Sequence, residues 1–220
     1  MPLTRRSLAK LSLSALALQG GGAGFLSRAR ADDENVLSRR LMLRDPEIPA
    51  SGNPDGDVTI VEYLDYQCPY CRKIHPVLES LARDDSKLRL VYKNWPILGD
   101  ASIYAAQMAL AAREQGKYAQ AHEALISLTS KLTTTVTDTT LAKAGVDVQR
   151  ARGVLVKDVA AIGAVLKRNA AQAKGLDFQG TPGFIVGKFR VPGPLAADQF
   201  KMAIADARKA LASEPKRDEL

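Results

Sequence analysis

Cys68 and Cys71 are the only cysteines in the chain and stand in one motif, Cys68-Pro69-Tyr70-Cys71. Two thiols at that spacing either trade electrons as dithiol and disulfide or hold a metal. For exchange, one thiol must ionise readily and be reachable, and the other must resolve the mixed disulfide from behind. The apolar run Val58–Leu64 predicts a strand just before the motif, and Arg72 to Arg83 predicts a helix just after it. Cys68 then precedes the first helical turn, exposed, near that turn's unpaired N–H groups and the positive end of the helix dipole. Cys71 falls inside the turn, more deeply buried. Pro69 suits a first turn, where its missing N–H costs nothing. Cys68 is therefore the attacking thiol and Cys71 the resolving one.

Other groups could serve or hinder this chemistry. Glu62 precedes Cys68 by six residues, on the strand face under the motif. A carboxyl buried there has a raised pKa and can relay the proton of Cys71. Asp65 reads as a solvated loop acid. Tyr70 adds no positive charge, so this pair should be less oxidising than one with histidine at that place. Cys68, Cys71 and His75 supply three metal ligands where a structural zinc site wants four, and the only other histidine is the distant His122. Metal is set aside and His75 is read as a surface histidine. Trp95, Tyr104 and Phe184 read as core or groove lining.

The net charge of +7 invites a nucleic-acid reading, but its location removes it. Residues 1–31 carry Arg5, Arg6, Lys10, Arg28 and Arg30 and no acid, leaving 26 basic against 24 acidic residues in the remaining chain. The basic start, the apolar Leu11–Leu18 and the small-x-small Ala29-Arg30-Ala31 have the order of a signal peptide, and the apolar run is too short to span a bilayer. Thr4-Arg5-Arg6-Ser7-Leu8-Ala9-Lys10 resembles a twin-arginine export motif, which predicts a periplasmic protein. The terminal Arg217-Asp218-Glu219-Leu220 resembles a retention signal but reads as part of a charged tail, 213–220.

Residues 32–57, rich in proline and glycine, read as an N-terminal arm with a short helix or strand at Val36–Leu43. A first β-containing part covers 58–100, with a second strand at 88–95 closed by Pro96. From 101 to 174 the chain is alanine-rich with helical spacing and reads as an inserted helical bundle. The β pattern resumes over 175–212, with strands at 181–187 and 189–191 across a Gly187-Lys188 turn, then a terminal helix from 196 to 211. Neither an internal repeat nor a glycine-rich nucleotide loop is found.

The motif, its preceding strand and the late Thr181-Pro182 resemble the thioredoxin superfamily, and the long helical insertion resembles its DsbA-like branch of exported thiol:disulfide oxidoreductases. The matching residues are Glu62, Tyr63 to Tyr66, Cys68 to Cys71, Trp95-Pro96, Thr181-Pro182 and Gly193. The resemblance implies an α/β thioredoxin-like fold with an inserted helical bundle, with no cofactor beyond the cysteine pair. It implies a cis peptide bond before Pro182, packed beside the cysteines. Thr181 would offer backbone hydrogen bonds to a substrate strand, and Pro69 and Tyr70 would border a groove for unfolded exported proteins with cysteines. A membrane redox partner, DsbB-like or DsbD-like, would restore the pair. The Pro-Tyr dipeptide and Thr181 also resemble disulfide isomerases and reductases of the DsbG type. Those carry a separate dimerisation domain, for which residues 32–57 are too few. A non-enzymatic chaperone or metal carrier is the third reading.

Overall fold

The computed structural model describes residues 35–213. The leader over 1–31 and the terminal Arg217-Asp218-Glu219-Leu220 lie outside them. In chain order the described elements are α1 (Arg39–Leu43), β1 (Ala50–Gly52), β2 (Val58–Leu64), α2 (Pro69–Asp84) and β3 (Leu88–Asn94). There follow α3 (Asp100–Ala111), a 3-10 turn (Ala112–Gln115), α4 (Tyr118–Ile126), α5 (Thr134–Lys143), α6 (Val148–Lys157) and α7 (Val159–Gly175). β4 (Gly183–Val186), β5 (Phe189–Val191) and α8 (Ala197–Ser213) complete the chain.

The sheet has the order β1-β3-β2-β4-β5. β2 is central, and all seven of its residues are buried. A mostly apolar run, broken only by Thr59 and Glu62, suits a strand covered on both faces. β3 pairs with it in parallel, so the intervening α2 is the crossover, and β4 pairs antiparallel on its other side. β4 and β5 form the hairpin across Gly187-Lys188, with Val186 opposite Phe189. Gly187 has φ +59, and a Cβ there would stand 2.8 Å from that of Ala207 on α8. Both the turn and the helix beneath it require glycine.

The stretch read as a lead-in arm does more than approach the sheet. Ala50–Gly52 adds an antiparallel edge strand on β3, and Arg39–Leu43 is a helix capped by the Ser38 hydroxyl, which accepts from Leu41 N. The threonine patch at 133–135 starts α5: the Thr133 hydroxyl accepts from Val136 N at 3.1 Å. The last part of the helical bundle divides at Asp158 into α6 and α7.

Buried polar bonds fasten the helices between β3 and β4 to the sheet. Tyr63 hydroxyl donates to Gln172 Oε1 at 3.0 Å, Tyr118 hydroxyl to Tyr92 O at 2.9 Å, and Asn169 Nδ2 to Asn94 O at 3.0 Å. A second anchor is ionic. Lys93, fully buried, donates to Leu41 O at 2.9 Å and lies 3.4 Å from Asp45, whose carboxylate also receives Arg168 at 2.9 and 3.0 Å. Burial, opposed by Asp45, lowers the Lys93 pKa to about 8.

Removing one member of such a buried set leaves an uncompensated charge. Asp45→Asn is expected to destabilise the protein by about 3–5 kcal/mol, read as a lower urea midpoint at unchanged slope.

Candidate active site

The end of β2 and the start of α2 place the motif. Cys68 is the N-cap of α2 in extended conformation, with Pro69 in the first helical position. From Cys71 the helix buries Ile74, His75, Leu78 and Leu81, the spacing of one helical face. Behind the motif, Glu62 points from mid-β2 and is 1% exposed. In front, the Thr181–Pro182 bond is cis, the geometry that the resemblance implies. The Thr181 carbonyl oxygen accepts the Cys68 thiol at 3.2 Å. Gly183 follows with the ring of Phe178 so near that an added Cβ would lie 2.7 Å from it, which fixes the loop against the sheet.

The two thiols ionise very differently. The Cys68 pKa is lowered to about 5, chiefly because the Cys71 thiol donates to it. Burial opposes this, while the Thr181 side chain and the backbone N–H groups of Cys71 and Tyr70 add to it. The Thr181 carbonyl is no partner for a thiolate, so ionisation must turn Sγ away from it toward those donors. Cys71 is pushed far above the ordinary thiol range, first by burial, then by its proton's tie to Cys68 and by the charges of Glu62 and Cys68. The Glu62 pKa rises to about 8, mainly through burial, with the Cys68 charge adding to it. The Cys71 thiol opposes that rise more than the Cys68 charge adds to it, although neither Glu62 oxygen has a well-formed hydrogen bond.

Three residues sit differently from their sequence reading. Cys68, expected exposed, is 4% exposed because the cis-proline loop covers its sulfur. Asp65, expected solvated, is buried. Its carboxylate accepts from Gln67 N at 2.7 Å and from Ile97 N and Leu98 N at 2.8 and 2.9 Å. It thus pins the loop after β3 to the turn carrying Cys68, and the Asp-x-Gln turn, in which an aspartate accepts from the N–H two residues on, was the available signal. Gln67 reinforces the tie by donating to Leu98 O at 3.1 Å. His75, expected at the surface, is buried and paired with Glu123 at 2.7 Å. Among the described residues, the ligand atoms of Cys68, Cys71 and His75 do not converge on one point. Tyr70 is 62% exposed, and Ile97 and Leu98 are exposed on the tethered loop, giving an apolar rim to the motif. Arg72 braces the same turn, donating to Tyr66 O at 2.7 Å and Ser130 O at 2.9 Å.

The thioredoxin family model matches residues 45–206. The chain belongs to the thioredoxin family. A solved thioredoxin-like oxidoreductase from Silicibacter pomeroyi is 40% identical, with TM-score 0.75, over 78% of this chain and 98% of that one. A periplasmic thioredoxin-like protein from Salmonella enterica serovar Typhimurium is 25% identical, with TM-score 0.66, over 79% and 95%. The thiol-disulfide exchange protein alpha-DsbA2 from Wolbachia pipientis shares the fold at 24% identity and TM-score 0.71, over 82% and 97%. Among curated sequences, the Na(+)/H(+) antiporter NhaA 3 of Salinispora tropica is 29% identical over 186 residues, 82% of this chain but 28% of that relative. The chain spans less than a third of that longer protein, to which the antiport in its name belongs. The thioredoxin family and the likeness to a thioredoxin-like oxidoreductase agree with the oxidoreductase reading of the motif.

The raised Glu62 pKa has a stability consequence. Below pH 4.5 the carboxyl is protonated folded and unfolded alike; as pH rises toward 8 only the unfolded chain ionises, so the fold loses stability. Glu62→Gln in the dithiol form should remove that loss. Urea melts are expected to show the variant's relative stability growing from pH 5 to pH 8 by on the order of a few kcal/mol, and a constant difference would contradict the buried carboxyl.

Proposed function

We propose that this thioredoxin-family protein is an exported oxidase that introduces disulfide bonds into periplasmic proteins through Cys68 and Cys71. The observation that carries the reading is the opposed ionisation of the two thiols at the cis-proline loop. A stabilised thiolate lowers the energy of the reduced pair, which makes the disulfide form the stronger oxidant. The leader over 1–31, with its Arg5-Arg6 pair, supports delivery to the periplasm by the twin-arginine route.

A substrate thiolate attacks Cys68 Sγ of the protein disulfide, and the bond to Cys71 breaks with its electron pair going to Cys71. Glu62, protonated at neutral pH, supplies the proton that the buried Cys71 thiolate needs. The second substrate thiolate then attacks its own partner sulfur in the mixed disulfide and expels Cys68 as thiolate. The substrate has lost two electrons and the Cys68–Cys71 pair has gained them. A membrane partner of the DsbB-like kind takes them back, with Glu62 now accepting the proton. Thr181, with its backbone beside Cys68, holds the substrate strand, and Tyr70 with Pro69, Ile97 and Leu98 gives an unfolded chain an apolar bed.

A second reading rests on Tyr70 and Thr181: with no cation between the cysteines, the pair would instead be kept reduced by a DsbD-like partner and serve as isomerase or reductase. The reduction potential and the redox state trapped in cells separate the two. Oxidase action requires a potential above thioredoxin's (about −270 mV) and a mainly oxidised pool; a mainly reduced pool favours the second reading. Cys68→Ser should abolish exchange with a reduced test protein, and retained activity would remove both.

A further inference from the structure

A second cluster of titratable groups lies between α2 and α4 and takes no part in the steps above. His75 and Glu79 are one turn apart on α2, and Glu123 faces them from α4. One ligand atom from each of the three lies within 4.8 Å of the other two, with His75 Nε2 only 2.7 Å from Glu123 Oε2. Each carboxylate is steered by one oxygen. Tyr92 hydroxyl donates to Glu79 Oε1 at 2.9 Å and Ser127 hydroxyl to Glu123 Oε1 at 2.9 Å. Those bonds hold the two carboxylates in place, as outer hydrogen bonds orient metal ligands, while Glu123 Oε2 meets His75.

Two further observations point to a cation. A cavity of about 320 Å3 opens beside the two carboxylates, lined by Glu79, Glu123, His122, Tyr92 and Tyr118 among others but not by His75, with neither lysine nor arginine in its wall. His122 is buried, and its Nδ1 meets the Tyr66 hydroxyl at 3.1 Å. Its Nε2, on the ring edge away from Tyr66, has no hydrogen-bond partner, and the ring lines the same cavity edge-on to His75.

We propose that His75, Glu79 and Glu123 form a site for one divalent cation of the zinc class, with His122 Nε2 on its inner wall. One imidazole nitrogen with two carboxylate oxygens is a donor set that zinc accepts, and three protein ligands leave a position for water. The cation replaces the hydrogen bond between His75 and Glu123, and any proton shared there leaves to solvent. It ties α4 to the helix that carries Cys71.

The test is calorimetric titration of zinc chloride into the oxidised full-length chain, where the disulfide keeps Cys68 and Cys71 from coordinating. A single zinc per chain is expected, bound about tenfold or more weakly by both Glu79→Gln and Glu123→Gln. The Glu123 side chain is 60% exposed, so its replacement leaves the core undisturbed and decides the matter if Glu79→Gln lowers the melting temperature. Absence of saturable binding, or equal affinity in Glu123→Gln and the unaltered chain, overturns the site.

Discussion

Cys68, Cys71 and Glu62 share a space from which water is largely excluded, and the three acids compete for a single negative charge. The competition is unequal. Cys68 alone lies at a helix N-terminus with donors on several sides: the Cys71 thiol, the N–H groups of the first turn and the Thr181 side chain. Cys71 and Glu62 are walled in by the sheet, so burial keeps both protonated. The charge settles on the sulfur that a substrate can reach, and the protons stay on the two groups that must exchange one.

The remaining fold keeps that inequality in place. The seven buried residues of β2 carry Glu62 to its depth and end where the motif turn begins. The buried carboxylate of Asp65 joins that turn to the loop after β3, and Arg72 joins it to Ser130 in the helical region. The cis-proline loop closes the front. Tyrosines at 63, 66 and 118 bond across the boundary between sheet and helices, so the helices that border the site cannot shift without breaking buried hydrogen bonds.

Much of this is written in local sequence. Val58–Leu64 and Leu88–Asn94 are runs rich in β-forming residues, Gly187-Lys188 is a hairpin turn by its chemistry, and Pro69 announces a helix start. Pairs made across space leave weaker traces. Ala50-Ser51-Gly52 lacks β-forming side chains and is a strand only because β3 offers it an edge. His75 falls on the buried face of α2 by periodicity, yet its partner Glu123 arrives from a helix 48 residues on. The depth of Cys68 depends on a loop more than a hundred residues away, which no neighbouring residue records. Asp65 stands between the two cases, since its bond to Gln67 is local and those to Ile97 and Leu98 are not.

The pH dependence of Cys68 alkylation in the dithiol form measures the charge distribution most directly, with Cys71→Ala beside the unaltered chain. If the Cys71 thiol is the leading donor to the Cys68 thiolate, the alkylation rate should have its midpoint at about pH 5. Removing that donor should move the midpoint upward. A midpoint near the ordinary thiol value of 9.0 in the unaltered chain, or the same midpoint in both, would contradict it.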